Sequence, residues 1–265
     1  MSRIALVFDF DETLAEESTT AFVKSLGIDT DFFWSKMVDS LLPLGWDPVP
    51  AYLYKLIDIA DEYKITKKLL IDFGKKVIFK KGVENFFDNI KNYLKKISAN
   101  SEIEFYIISS GISEIVKNTK ISKYFSDIWA CEFHFDNNNL IKFPKKIVSF
   151  TDKTRYIFQI SKGMIGDKYA GKPYAVNLKV DASEYYVPIK NMIYIGDGMT
   201  DVPCFSLLQR FGGITIAVYD AQNTRAYGKA QNFKTEKRVD DLHNTDYSKN
   251  SPLYNFIFES IKKMI

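Results

Sequence analysis

Residues 3–8 (RIALVF) form a short apolar run rich in β-formers, and the acidic stretch DFDETL follows it directly. With no polar residue from Ile4 to Phe8, the run fits a strand covered on both faces. Similar runs return at 103–108 (IEFYII), 192–195 (MIYI) and 214–218 (ITIAV). Between them the hydrophobic period changes to that of a helix. Val83, Phe86, Phe87, Ile90 and Leu94 share one helical face after Gly82. Further helices are predicted from Thr151 or Asp152, as cap, to about Ser161, and from about Thr200 to Arg210. Residues 128–135 and 140–143 flank Asp136-Asn137-Asn138-Asn139 and read as a β-hairpin. Strands alternating with helices predict an α/β fold, a doubly wound and mainly parallel sheet.

One long stretch breaks the alternation. From residue 15 to residue 76, Phe22, Val23 and Leu26 and then Phe32, Phe33 and Met37 recur at helical spacing. Pro43, Pro48 and Pro50 interrupt that pattern around Trp46, and it resumes over 52–59 and 66–73. The predicted division is a core of residues 1–14 and 77–265 with a helical insert of residues 15–76. Phe22, Phe32, Phe33, Trp34 and Trp46 are expected to pack the insert onto the core, the alternative being that they line an apolar pocket. Residues 162–190, with Gly163, Gly166 and Gly171, read as an added polar loop.

Composition narrows the class. The chain has 265 residues, 46% hydrophobic and 26% charged, with a net charge of +3. Its lysines are scattered among acids, which argues against a nucleic-acid partner. Cys131 and Cys204 sit in apolar runs without CxxC spacing and are expected to be buried thiols of a reducing compartment. No segment reads as a membrane span or a signal peptide, so a cytoplasmic protein with no membrane partner is expected.

In a parallel sheet of this kind ligands bind beyond the carboxyl ends of the strands. Asp9 and Asp11 follow the first predicted strand, and Asp197 and Asp201 follow the third. Any one of these acids alone suits a turn or a helix cap. Two pairs at equivalent strand ends repel one another unless a cation offsets them. A carboxylate cluster without Cys or paired His suits a hard ion, above all Mg2+. Ser109 ends the second strand, where a hydroxyl and backbone N–H groups suit an oxyanion. Lys153 opens a helix, where the macrodipole disfavours a cation, and an anion in front of it would explain its place.

Four segments, DFDETL, IISSG, TDKTR and IYIGDGMTD, together resemble the motifs of the haloacid dehalogenase superfamily of phosphotransferases. The resemblance spans residues 3–218 and is specific in combination, whereas a lone DxD is not. It implies a Rossmann-like core with the insert as a cap, in a place similar to that of the phosphoserine phosphatases. It implies Asp9 as nucleophile, forming an aspartyl-phosphate, and Asp11 as general acid and then base, with a raised pKa. It implies Mg2+ held by Asp9, the backbone carbonyl of Asp11 and Asp197, with Asp201 as ligand or support. Ser109 and Lys153 would bind the transferring phosphate of a small phosphorylated substrate, and Thr13 and the backbone around Phe10 would orient the loop. An Asp at position 11 goes with phosphoryl transfer, since the dehalogenases lack it. The expected activity is a phosphomonoesterase. The alternatives are a phosphotransferase, a hydrolase of another phosphorus bond, or a non-catalytic binding protein on the same fold.

The chain departs from the phosphoserine pattern in its insert. Ser18 stands where those enzymes carry a Glu that reads the amino group, with Glu16 and Glu17 just before it. Their cap Arg is missing too, since no Arg occurs between Arg3 and Arg155. A Lys does not supply the same forked geometry.

Overall fold

The computed structural model describes residues 2–265, the side chains of Arg225 and Lys229 apart. At its centre β1 (Ser2–Phe8) pairs in parallel with β2 (Ser101–Ile112) on one side and β5 (Met192–Gly196) on the other. β3 (Asp127–Phe135) and β4 (Ile141–Lys146) extend the sheet beyond β2. β6 (Ile214–Tyr219) and β7 (Asp241–Asn244) extend it beyond β5. The order is β4-β3-β2-β1-β5-β6-β7, parallel throughout except for the β3–β4 hairpin.

The apolar first run is a strand because both of its faces are covered. Ile4, Leu6 and Phe8 enter one layer, with Phe86 and Phe87 of the helix Val83–Ile97 and Ile257 and Ile261 of the helix Pro252–Met264. Ala5 and Val7 enter the other, with Ile157 of the helix Asp152–Ser161 and Phe205 of the helix Val202–Arg210. Phe8 meets Phe86 and Phe87 edge to face, with ring centroids 6.2 and 5.9 Å away. Truncating such a ring to Ala costs about 3–5 kcal/mol.

Between β1 and β2 the chain forms helices Ser18–Ser25, Pro48–Asp58 and Lys67–Gly74 among shorter turns. One of these turns, Phe33–Val38, is π-helical. Phe22 and Phe33 are fully buried, as expected of packing residues, but Phe32 is 55% and Trp46 39% exposed. Trp46 instead lies against Tyr54 on the outer surface, with ring centroids 4.9 Å apart. The stretch is tied to the β3–β4 hairpin by the backbone bonds Lys67 N to Asn139 O (2.9 Å) and Ile141 N to Ile65 O (3.1 Å).

Several further expectations are revised. β2 runs on through Ser109 to Ile112, because its parallel pairing with β3 continues past a bulge. Neither Thr151 nor Asp152 caps its helix through a side chain, and Asp152 pairs with Arg155 instead. An edge strand, β7, goes unpredicted because its sequence, DLHN, has no apolar alternation to announce it. Residues 162–190 pack at the sheet end opposite Asp9. Tyr186 OH donates to Glu104 Oε1 (2.5 Å), and the Arg3 guanidinium lies 4.1 Å from the Tyr186 ring centroid. Among the described residues no helix is long and apolar enough to cross a membrane.

Candidate active site

The carboxyl end of β1 turns sharply at Asp9. Asp9 N donates to Ile195 O (2.9 Å), so the turn is fixed to β5. Phe10 O then accepts from the backbone N–H groups of Thr13, Leu14 and Ala15, and the Phe10 ring is fully buried beneath them. Asp9 Oδ1 accepts from Phe10 N (2.8 Å) and pairs with Lys153 Nζ (3.2 Å). No hydrogen bond reaches Asp9 Oδ2 among the described residues.

Lys153 comes from the first turn of the helix Asp152–Ser161 and has no solvent exposure. Its nearer partner is Asp201, with Nζ 2.7 Å from Oδ1. Asp201 is equally buried and its oxygens are spoken for. Oδ1 also accepts from Tyr194 OH (2.7 Å), and Oδ2 accepts from Gly198 N (3.1 Å). A methyl group at Gly196 would overlap that carboxylate, which is why the chain needs glycine at the end of β5. Half-buried Asp197 follows, and one oxygen from each of Asp9, Asp197 and Asp201 falls within 4.8 Å of the others.

Asp11 and Ser109 meet on the β2 side. Asp11 Oδ1 accepts from Ser18 N (2.7 Å), and Ser109 Oγ accepts from Gly111 N (2.9 Å). A Cβ at Gly111 would lie 2.6 Å from Asp11 Oδ2 and 3.1 Å from Ser109 Oγ. Both oxygens therefore border one small space that exists because position 111 has no side chain.

The electrostatics follow from burial. Loss of solvent, with the Asp201 charge added, pushes the Asp9 carboxyl up to about 7, against the opposing pull of Lys153. Burial and the neighbouring Glu17 push Asp11 up to about 7 as well. Burial and the charge of Asp9 hold Asp197 well above the carboxylate range. Burial works against the charge on Lys153, but Asp201 and Asp9 outweigh it and keep the ammonium protonated. One buried cation thus faces at least three acids. An all-oxygen cluster short of positive charge fits a hard divalent cation, through Asp9 and Asp197 first, since the Asp201 oxygens already have donors.

A cavity of about 270 Å³ opens from Asp9, Asp11 and Asp197 toward Glu17, Trp34 and Tyr52. Trp34 Nε1 donates to Thr20 Oγ1 (2.8 Å), and Tyr52 OH donates to Ser110 O (2.5 Å). The structure thus brings Asp9, Asp197, Asp201 and Lys153 together, with Asp11 and Ser109 at the adjoining rim. Sequence reasoning missed Tyr194 and Tyr52, noted Glu17 only as a neighbour of Ser18, and took Trp34 first as packing. Tyr194 carried a signal, a lone hydroxyl in the otherwise aliphatic run MIYI that needs a partner when buried. Tyr52 carried none, since its spacing reads as one more position of a helical face. Cys131 and Cys204 are buried thiols, as expected.

No family model matches the sequence. An uncharacterized protein of Borreliella burgdorferi is 31% identical over a gapped alignment 287 residues long, which covers 97% of this chain and 96% of that one. A phosphoserine phosphatase solved as a phospho-aspartyl intermediate analogue superposes with a TM-score of 0.56 at 12% identity, over 97% of this chain and 98% of that one. A HAD-family hydrolase of Salmonella enterica serovar Typhi superposes with a TM-score of 0.59 at 13% identity, over 90% of this chain. A probable phosphoserine phosphatase of Vibrio cholerae, in unliganded form, gives 0.60 at 11% identity over 99% of this chain. The matches span 66% of the length of each of the last two proteins. By sequence this chain belongs to one family with the Borreliella protein, and its fold, an α/β core of mostly parallel strands with an acidic cluster at the carboxyl ends of β1 and β5, is that of the haloacid dehalogenase-like hydrolases.

Proposed function

We propose that the chain is a Mg2+-dependent phosphomonoesterase acting on a small phosphorylated substrate through an aspartyl-phosphate on Asp9. The observation that carries this reading is the pairing at Asp9. Oδ1 is held by Phe10 N at 2.8 Å and Lys153 Nζ at 3.2 Å, while Oδ2 has no hydrogen-bond partner among the described residues. A carboxylate fixed through one oxygen presents the other as a nucleophile in a set direction.

In this reading Asp9 Oδ2 attacks phosphorus and the ester P–O bond breaks. The leaving alkoxide takes the proton of Asp11, which burial and Glu17 keep protonated to higher pH than an ordinary carboxyl. Asp11 then accepts a proton from the water that attacks the acyl phosphate, and inorganic phosphate is released with Asp9 restored. Ser109 and Lys153 hold the phosphoryl oxygens, Lys153 as a charge that Asp201 and Tyr194 aim at Asp9. Asp9 and Asp197, with the Asp11 carbonyl, would hold Mg2+, which supplies charge neutralisation at the phosphoryl group. Asp201 is assigned chiefly to anchoring Lys153. Residues 15–76 are assigned as the cap over the core formed by 1–14 and 77–265, since Glu17, Trp34 and Tyr52 reach the cavity from that stretch.

The test is hydrolysis of 4-nitrophenyl phosphate by the purified protein, with and without Mg2+. Activity is expected only with the ion, and Asp9→Asn is expected to lose it with its circular dichroism unchanged. Turnover by that variant would overturn the assignment of Asp9. Added alcohol acceptors separate hydrolysis from phosphoryl transfer, because a transferase yields a new phosphate ester in place of inorganic phosphate.

A further inference from the structure

The cavity beside Asp9 is unusual in its charge. Glu17, Trp34, Tyr52 and Thr19 line it together with the acids of the site, and among the described residues none of its lining is Lys, Arg or His. Residues 15–76 contain neither arginine nor histidine. Glu17 Oε2 accepts from Thr20 N, and among the described residues no cationic side chain pairs with it. A desolvated carboxylate without a cation is costly, and the lack is made good by a ligand that brings one. Burial accordingly holds the Glu17 carboxyl above its ordinary range.

The aromatic walls point the same way. The polar atoms of Trp34 and Tyr52 are already bonded, to Thr20 Oγ1 and Ser110 O, so what these two side chains offer the cavity is aromatic carbon. The two ring centroids lie 6.1 Å apart at 58°. Trp34 is carried by the π-helical turn Phe33–Val38, a distortion that often marks a functional position. Aromatic faces beside a carboxylate attract an alkylated ammonium group, which needs no hydrogen-bond acceptor. A second anionic group on the substrate would meet Glu17, which no cationic side chain among the described residues balances, whereas Glu12 is already paired with Lys80 (2.9 Å).

We infer that the site takes phosphomonoesters of amino alcohols, with a quaternary nitrogen set against Glu17, Trp34 and Tyr52 and no second anionic group in the alcohol half. This rests on the phosphatase reading above, because the phosphate end is placed at Asp9 and Lys153. It adds the half of the substrate that is released.

The experiment compares kcat/KM, with Mg2+, for phosphocholine, phosphoethanolamine, phosphoserine and 3,3-dimethylbutyl phosphate, the neutral analogue of phosphocholine. 4-Nitrophenyl phosphate serves as the control for phosphatase activity itself. Phosphocholine is expected to exceed the neutral analogue and phosphoserine by about tenfold or more, with phosphoethanolamine between. Glu17→Gln is expected to bring the ratio of phosphocholine to its neutral analogue close to one, and Trp34→Leu, at a half-buried position, to narrow it. Hydrolysis of the aryl ester with a ratio at or below one overturns the inference and leaves the phosphatase reading standing. If no ester is hydrolysed, the phosphatase reading fails, and calorimetric titration with phosphocholine and its neutral analogue still decides the preference for a cation. Equal binding of the two overturns it.

Discussion

Lys153 Nζ lies 2.7 Å from Asp201 Oδ1, and neither side chain has any solvent exposure. The pair sits behind Asp9 and ties the first turn of one helix to the loop after β5. Replacing Asp201 by Asn removes the nearer counter-ion of a buried ammonium group. Breaking a buried pair in this way costs about 3–5 kcal/mol. Tyr194→Phe removes one hydrogen bond to the same carboxylate and is expected to cost about 1–3 kcal/mol. Urea unfolding should therefore rank Asp201→Asn below Tyr194→Phe, and both below the parent. An unchanged midpoint for Asp201→Asn would show that Lys153 does not depend on it.

Gly111 gives a prediction on activity with little effect on the fold. A methyl group there would stand 2.6 Å from Asp11 Oδ2 and 3.1 Å from Ser109 Oγ, so Gly111→Ala must displace the carboxyl, the hydroxyl or both. Displacing a reacting group by about 1 Å costs on the order of 10²-fold in rate. Gly111→Ala is expected to lose kcat on 4-nitrophenyl phosphate on that scale while its thermal midpoint stays near the parent's. A variant with parental kcat would place Asp11 outside the reaction.

The parts of the molecule legible in the sequence are those where burial dictates residue type. β1 and β5 read as apolar runs because each is covered on both faces, and Asp9 and Asp197 stood out because they end those runs. β7 stayed hidden because an edge strand has fewer neighbours to satisfy, and Asp241 to Asn244 lacks apolar alternation. Trp34 read as packing, since helical spacing does not anticipate a π-helical turn that brings its ring to the cavity. Phe32 belonged to the same periodic pattern as Phe22 and Phe33, yet it faces outward, as does Trp46 from the proline-broken stretch. The pattern identifies a helical face without telling which neighbour covers it. Asp201 was visible as an acid of the last motif, but its partners were not, because Lys153 and Tyr194 reach it from elements distant in sequence.

The two thiols give a simple check on the core. Cys131 and Cys204 have no exposure, and burial pushes Cys131 up to about 11. The thiolate is the reactive form, so both should resist modification in the folded protein. A thiol reagent at neutral pH is expected to label neither cysteine in buffer and both in denaturant. Fast labelling of one in buffer would place that residue nearer solvent than the core packing allows.

Magnesium and pH should act together on stability. Asp9 and Asp11 are pushed up to about 7 by burial, and Asp197 is raised as well. In the unfolded chain carboxyls of this kind titrate near 4. Between about pH 4 and pH 7 the folded, metal-free protein thus holds more protons at these groups than the unfolded chain does. Their contribution to stability is complete below about pH 4 and is lost as pH rises through the folded values. His243 works in the opposite direction below about pH 6.5, because burial lowers its pKa and the unfolded chain protonates first. The increment produced by Mg2+ cancels that remote effect. Cation binding displaces the protons of the cluster, so it competes with them at low pH and meets ionised, mutually repelling acids at high pH. The rise in thermal midpoint on adding Mg2+ is therefore expected to be small near pH 5 and to grow toward pH 8. In Asp197→Asn it should be much reduced at every pH. An increment that is constant with pH, or that survives intact in Asp197→Asn, would place the bound ion away from this cluster.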